Sequence, residues 1–211
     1  MTILRKPFYI IRHGQTHANA DKVMSGQVDT PLTDLGISQA RDAAKIMRQL
    51  DPKPSVVIHS HLSRARDTAG FLNEGLGLDM VEEAMWAEQD FGLWQGTAYA
   101  ETQDLLRSGE TPPEGESRAV FYERVRAVAT ETLNRYELPL IVCHGGVIRA
   151  ISAAIGYKVQ GIKNCVLYEF QPDIGANSED VTWSVFEYAA PEGHKSLSPL
   201  FHGEGAIKIA S

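Results

Sequence analysis

Two cysteines, Cys143 and Cys165, are all that the 211 residues contain, and they lack CxxC spacing. That excludes a disulfide framework and points to a reducing compartment, with a cytoplasmic location as the expectation. Basic residues are in deficit: 20 Lys and Arg face 27 Asp and Glu, for a formal charge of −7. A surface of that sign argues against nucleic acid or an anionic membrane as partner. It does not forbid a small basic pocket for one anion. The amino-terminal apolar run, Phe8–Ile11, ends at Arg12. It falls far short of the ~20 residues a membrane-spanning helix needs, and it reads as neither a signal peptide nor an anchor. Repeats and low-complexity tracts are missing. So are the Walker A, GxSxG and GxGxxG patterns, which removes the simplest signs of a P-loop, serine-hydrolase or dinucleotide site.

What is present is an ordinary globular composition, 43% apolar and 22% charged, in a chain long enough for one domain whose core needs no staple. Three short apolar runs containing β-branched residues, Phe8–Ile11, Val56–Ile58 and Leu140–Cys143, predict buried strands. Between them apolar residues recur at helical spacing. Ile37, Ala40, Ala44 and Met47 mark one helix; Leu62, Ala65, Ala69 and Leu72 mark a second, stopped by Gly75 and Gly77. Val120 or Phe121, with Val125, Val128 and Leu133, marks a third, behind an N-cap at Ser117. Val147–Ile155 predicts a further helix ending at Gly156. Strands alternating with helices predict an α/β fold: a three-layer, doubly wound, mostly parallel sheet with helices on both faces. Val166–Phe170 and Trp183–Tyr188 extend the sheet towards one edge. The segment 85–116, broken by Gly92, Gly96, Gly109 and Pro112-Pro113, reads as an irregular insertion over the mouth of the sheet. Residues 1–190 are then a single domain and 191–211 a C-terminal tail.

Arg12-His13-Gly14-Gln15-Thr16 follows the first predicted strand, Ser60-His61-Leu62-Ser63-Arg64 the second and His144-Gly145-Gly146 the third. Residues that follow parallel strands emerge at one carboxyl edge, where open α/β sheets bind ligands. Arg12, His13, Arg64 and His144 are therefore expected at one mouth. Two guanidiniums, two imidazoles and a glycine turn opening a helix make an anion site in an acidic protein. The fit is to phosphate, whose oxygens match the planar fork of Arg and the N–H groups of the Gly145-Gly146 turn. A neutral imidazole beside that phosphate can attack phosphorus and carry it as phosphohistidine. The departing alkoxide then needs a proton from a carboxylic acid. Glu88 is the first candidate and Asp90 the nearby rival.

This ordered set resembles the histidine phosphatase (phosphoglycerate mutase-like) superfamily. The likeness runs from Arg12-His13-Gly14-Gln15-Thr16 with Asn19, through Ser25-Gly26, Asp29-Thr30-Pro31-Leu32-Thr33, Gly36 and Gln39-Ala40. It continues at Ser60-His61-Leu62-Ser63-Arg64-Ala65, Thr68-Ala69, Glu88, Phe91-Gly92 and Trp94-Gln95-Gly96, and ends at His144-Gly145-Gly146. The resemblance implies His13 as the phosphorylated nucleophile and Glu88 as the acid that later activates water. It implies Arg12, Arg64 and His144 as holders of the phosphoryl group, with Asn19 in support and Ser25, Gly26 and Gly145 on the substrate side. It also implies catalysis without a metal ion or other cofactor.

Departures from the pattern bear on the reaction. Where similar phosphoglycerate mutases grip the substrate carboxylate with Arg, Tyr and Lys, this chain carries Gln89, Phe91 and Tyr99. Without those cations a phosphoglycerate is not retained for re-phosphorylation, and water takes the phosphoryl group instead. The expected enzyme is a phosphoric monoester hydrolase acting on a small soluble phosphate ester. A phosphoglycerate mutase and a non-catalytic phosphate-binding protein stand as the alternatives. Plainer readings attach to other residues. His13 and His17 share helical spacing, but no HExxH pattern joins them, so a metal site is not expected. His59 reads as structural, whereas His61 is within reach of the mouth. Cys143 reads as packing. Trp86, Phe91, Trp94 and Tyr99 read as a substrate wall or as the insertion's own small core. The sequence leaves the oligomeric state open.

Overall fold

In the computed structural model the described residues are 5–174, 180–189, 193–202 and 206–208. The chain runs β1 (Phe8–Arg12), α1 (His17–Ala20), α2 (Asp34–Met47), β2 (Val57–His59), α3 (Ser63–Asn73) and β3 (Met80–Glu82). Two single 3-10 turns, Ala84–Trp86 and Gly92–Trp94, precede α4 (Tyr99–Ser108) and α5 (Arg118–Arg135). Then come β4 (Leu140–Cys143), α6 (Gly145–Ala154), β5 (Lys158–Val159), β6 (Leu167–Ile174), β7 (Asp180–Ala189), β8 (His194–Leu197), β9 (Phe201–His202) and β10 (Ala206–Lys208).

The central sheet has the order β10-β7-β6-β1-β4-β2-β3, with β8 also paired to β7, while β5 and β9 form a separate pair. Both faces of its central strands are buried, and side chains alternate between two cores. Phe8 and Ile10 of β1, Ile58 of β2 and Ile141 and Cys143 of β4 pack with Phe121, Val125, Val147 and Ile151 of α5 and α6. Tyr9, Ile11, Val57, Leu140 and Val142 point the other way, onto Ala40, Ala43, Ile46, Ala65 and Leu72 of α2 and α3. Truncating a fully buried strand residue such as Ile10 to Ala is expected to cost about 2–5 kcal/mol. Among the described residues no helix is long and apolar enough to cross a membrane.

The expectation of a mostly parallel sheet needs correction. β1–β4, β4–β2 and β2–β3 are parallel, whereas β1–β6, β6–β7, β7–β8 and β7–β10 are antiparallel. Hydrophobic runs do not encode strand direction, so a mixed sheet and a parallel one read alike in sequence. From Ile174 to Asp180 the chain is too short for a helical crossover, so β6 and β7 must pair as a hairpin. The insertion is also more regular than expected. Of α4 only Thr102 is buried, so the helix carries no apolar stripe for periodicity to find; it stops at Gly109 in the left-handed conformation. Beyond residue 190, β8 adds to the edge of β7, and Lys195 Nζ lies 2.7 Å from the buried carboxylate of Glu169 on β6.

Strand register brings the site together. Arg12 is aligned with Cys143 and His59 with Val142, so β1, β4 and β2 end at one edge. The residues that follow them start from that edge.

Candidate active site

Arg12, the last residue of β1, donates from Nη1 to the Ile162 carbonyl at 2.8 Å, and its main-chain carbonyl accepts from Cys165 N at 2.9 Å. His13 follows, and its main-chain N–H donates to the Cys143 carbonyl at 3.0 Å, which seals it to the end of β4. His13 is 4% exposed. Its Nδ1 lies 2.7 Å from the Gly14 carbonyl. A carbonyl only accepts, so Nδ1 carries the proton and the neutral ring keeps its lone pair on Nε2. Gly14 is required by a close approach: a Cβ there would stand 2.5 Å from the Gly36 carbonyl oxygen. Its N–H donates to Thr68 Oγ1 at 3.1 Å, tying the first loop to α3.

His144 is fully buried, and its ring centroid is 5.1 Å from that of His13, at an interplanar angle of 60°. Arg64, in the first turn of α3, is 1% exposed; Nη2 donates to the Gly26 carbonyl at 2.6 Å and Nη1 to the Val28 carbonyl at 3.1 Å. Asp29 Oδ1 stands 3.8 Å from Nη1. Arg12 Nε, Arg64 Nε and both ring nitrogens of His144 are buried without a hydrogen-bond partner in the protein. Orphaned buried polar nitrogens are costly, and several around one imidazole suit a ligand with many acceptor oxygens.

Electrostatics point the same way. Burial, then the charges of Arg12 and Arg64, push the His13 pKa well below its usual value, against the opposing bond to Gly14. Burial lowers His144 in the same way, helped by Arg64, His13, Arg12 and His61. Both rings are therefore neutral at pH 7. Burial also lowers Arg12 and Arg64, with Glu88 the largest opposing charge on each.

Glu88 reaches this group from the insertion. Its Oε2 accepts the Gly146 N–H at 2.9 Å, at the start of α6, and its Oε1 accepts the Gln89 N–H at 2.9 Å. A Cβ on Gly146 would overlap Glu88 Oε1, so this glycine leaves room for the acid. Asp90, the rival, is engaged within its own loop, where Oδ1 accepts from Gly92 N at 2.9 Å.

The remaining candidates are less directly placed. Asn19 closes a capping box with Thr16 at the start of α1 and accepts from Asn164 Nδ2 at 3.4 Å. Asn164 Nδ2 also donates to the His13 carbonyl at 2.7 Å. Gly26 is buried with φ +52, its carbonyl under Arg64, and Ser25 beside it is half-buried. Gly145 is buried, with Arg12 Nε 3.6 Å from where its Cβ would stand. His61 is exposed, and His59 is buried with Nδ1 3.0 Å from the Ser60 carbonyl. Burial pushes the Cys143 thiol well above its ordinary pKa. Among the described residues no group of three or more His, Cys, Asp or Glu is placed to hold a metal ion. Gly146 as the partner of Glu88, Asn164 and Gln27, whose Nε2 donates to the Glu88 carbonyl at 3.1 Å, were not singled out individually from sequence. The second glycine of His144-Gly145-Gly146 was the one available signal.

Comparison with known proteins follows the same lines. Residues 8–173 match the sequence profile of the histidine phosphatase superfamily (branch 1). A glucosyl-3-phosphoglycerate phosphatase from Mycobacterium tuberculosis is 34% identical over 165 residues, covering 69% of this chain and 73% of its own. A probable phosphoglycerate mutase from an Enterobacter species is 32% identical over 154 residues, covering 65% and 68%. The solved structure of a mycobacterial glucosyl-3-phosphoglycerate phosphatase complexed with VO3 superposes with a TM-score of 0.71 at 27% identity, over 85% of this chain and 97% of that one.

Proposed function

Because this chain belongs to the histidine phosphatase superfamily, we propose that it is a phosphomonoesterase that hydrolyses a small soluble phosphate ester through a phosphohistidine on His13. The observation that carries this reading is the neutral His13 ring, its Nδ1–H engaged by the Gly14 carbonyl, set among Arg12, Arg64 and His144. Nε2 attacks phosphorus as the bond from phosphorus to the ester oxygen breaks. Arg12, Arg64 and the N–H of neutral His144 take up the charge on the three equatorial oxygens. Glu88, protonated at that moment, gives its proton to the departing oxygen, so the product leaves as an alcohol. Glu88, now a carboxylate, draws a proton from water; the oxygen attacks phosphorus, Nε2 is released, and inorganic phosphate forms. Asn19, Ser25, Gly26 and Gly145 line the ester. The scheme needs neither metal ion nor organic cofactor.

His13→Ala is expected to lower p-nitrophenyl phosphate hydrolysis by a factor on the order of 10³ or more and to abolish acid-labile labelling from a phosphorylated substrate. Undiminished turnover by this variant rules out the nucleophile. The relative named as a probable phosphoglycerate mutase favours a second reading, phosphoryl return to the substrate. Against it stand Gln89, whose Nε2 is engaged by the Glu116 carbonyl at 2.7 Å, and the uncharged Phe91 and Tyr99. A coupled assay with 3-phosphoglycerate and a bisphosphoglycerate primer separates the two. Hydrolysis predicts phosphate release without isomer formation, and fast isomer formation without phosphate release reverses the choice.

A further inference from the structure

Arg124, on α5, makes five hydrogen bonds for its five guanidinium N–H groups, and all of them end on two short segments of chain. Nε and Nη2 hold Glu116 Oε1 and Oε2 at 2.9 and 2.8 Å, a two-point ion pair. Nη1 donates to the carbonyls of Met85 at 2.7 Å and Ala87 at 3.1 Å, and Nη2 to that of Glu88 at 3.2 Å. Both side chains are largely buried, 14% and 12% exposed. Glu116 completes the frame from the other side. Its carbonyl accepts Gln89 Nε2 at 2.7 Å, its N–H donates to the Asp90 carbonyl at 2.8 Å, and its Oε2 accepts the Asp90 N–H at 3.4 Å. The backbone on both sides of Glu88 is thus fastened to the beginning of α5, whereas the Glu88 carboxylate itself accepts from Gln89 and Gly146 and is hydrogen-bonded to neither Arg124 nor Glu116.

We infer that the Arg124–Glu116 pair is a positioning device for the acid, setting where the Glu88 carboxyl stands relative to the departing oxygen. The inference rests on the acid role proposed for Glu88. Only a planar fork reaches all five acceptors; a lysine at 124 keeps the charge, but its three N–H donors sit on a single nitrogen that cannot span them. An acid held about 1 Å out of place loses up to two orders of magnitude in rate. That loss has a signature. Phenolate leaves poorly unless it is protonated, whereas p-nitrophenolate leaves with little help from an acid. Displacing Glu88 therefore slows phenyl phosphate far more than p-nitrophenyl phosphate.

The test compares kcat/KM on those two esters for the parent chain, Glu88→Gln, Arg124→Lys, Glu116→Gln and the double variant Glu88→Gln/Glu116→Gln. Circular dichroism and thermal melting establish how much of each variant is folded. Arg124→Lys leaves a buried carboxylate less well compensated. Glu116→Gln, nearly isosteric and neutral, decides the matter if that variant does not fold. The expected result for each of the two pair variants is a loss of about 30-fold or more on phenyl phosphate. On p-nitrophenyl phosphate the loss should stay within about threefold, because the acid contributes little there. In the Glu88→Gln background, Glu116→Gln should add almost nothing, since residues acting through one group are not additive. Equal losses on both esters, no loss on either, or a full additional loss in the Glu88→Gln background overturns the inference and leaves the acid role intact. Glu88→Gln slowing both esters equally instead overturns that role, and the inference with it.

Discussion

The rings of His13 and His144 stand with centroids 5.1 Å apart, and both are neutral because burial, reinforced by the charges of Arg12 and Arg64, disfavours an imidazolium on either. A cation on either ring would sit unsolvated beside Arg12 and Arg64. The pair therefore doubles as the centre of the proposed chemistry and as a point where folding is sensitive to acid.

Both histidines have folded-state pKa values well below the unfolded value of 6.5. Below that value the unfolded chain takes up protons that the folded chain refuses. The stability these rings contribute is full above pH 6.5 and is lost as pH falls beneath it. With both protons coupled, the free energy of unfolding should decline by up to about 2.7 kcal/mol per pH unit. Urea unfolding between pH 7.5 and 5.5 measures the slope. His144→Asn removes one of the two protons and should flatten it by about half that amount; an unchanged slope contradicts the assignment.

Gly146→Ala should separate folding from activity. The three atoms nearest the added methyl all belong to the end of the Glu88 side chain, so the carboxylate can swing away while the fold stays intact. Turnover of phenyl phosphate is expected to fall by about 10²-fold, with a melting temperature close to that of the parent. Gly14→Ala gives the opposite pattern, because its methyl meets the Gly36 backbone, which cannot yield. Its expected readout is loss of folded protein.

Arg64 holds the loop carbonyls of Gly26 and Val28, leaves Nε unpartnered, and acts by its charge on both His13 and His144. Lysine cannot do both tasks. Arg64→Lys should weaken inhibition by orthovanadate, a phosphoryl mimic, by roughly 10- to 100-fold, the worth of one or two charge-assisted hydrogen bonds. An inhibition constant within about twofold of the parent's, less than half a kcal/mol, places Arg64 outside the phosphoryl cradle.

The three strands that carry the site were legible because each is buried on both faces and so reads as an unbroken apolar run. Register then brings the residues after Arg12, His59 and Cys143 to one edge, as the strand-end argument requires. Strand direction beyond β1 was not legible, because Val166–Phe170 looks the same whichever way it pairs. Nor was α4, which buries little more than Thr102. The Arg124–Glu116 pair stayed hidden for a related reason. A charged residue beside the Phe121–Val125 stripe of α5 reads as solvated face, and only the fold brings the Glu88 loop over it.

Cys143 stands next to His144 in sequence, and that adjacency admits a thiol–imidazole nucleophile. The geometry favours packing instead. The thiol lies in the apolar core on the α5–α6 face, its Sγ 3.8 Å from the His144 carbonyl. Burial and the charge of Glu88 raise its pKa, so no thiolate forms near neutrality. Cys143→Ala should cost about 1–2 kcal/mol of stability through the small void it leaves. Its kcat on p-nitrophenyl phosphate should stay within about twofold of the parent's, a barrier change under half a kcal/mol. Iodoacetamide should likewise leave the native enzyme active. Inactivation by alkylation, with Cys143 as the modified residue, would instead put the thiol in the chemistry and displace His13 from the role given to it.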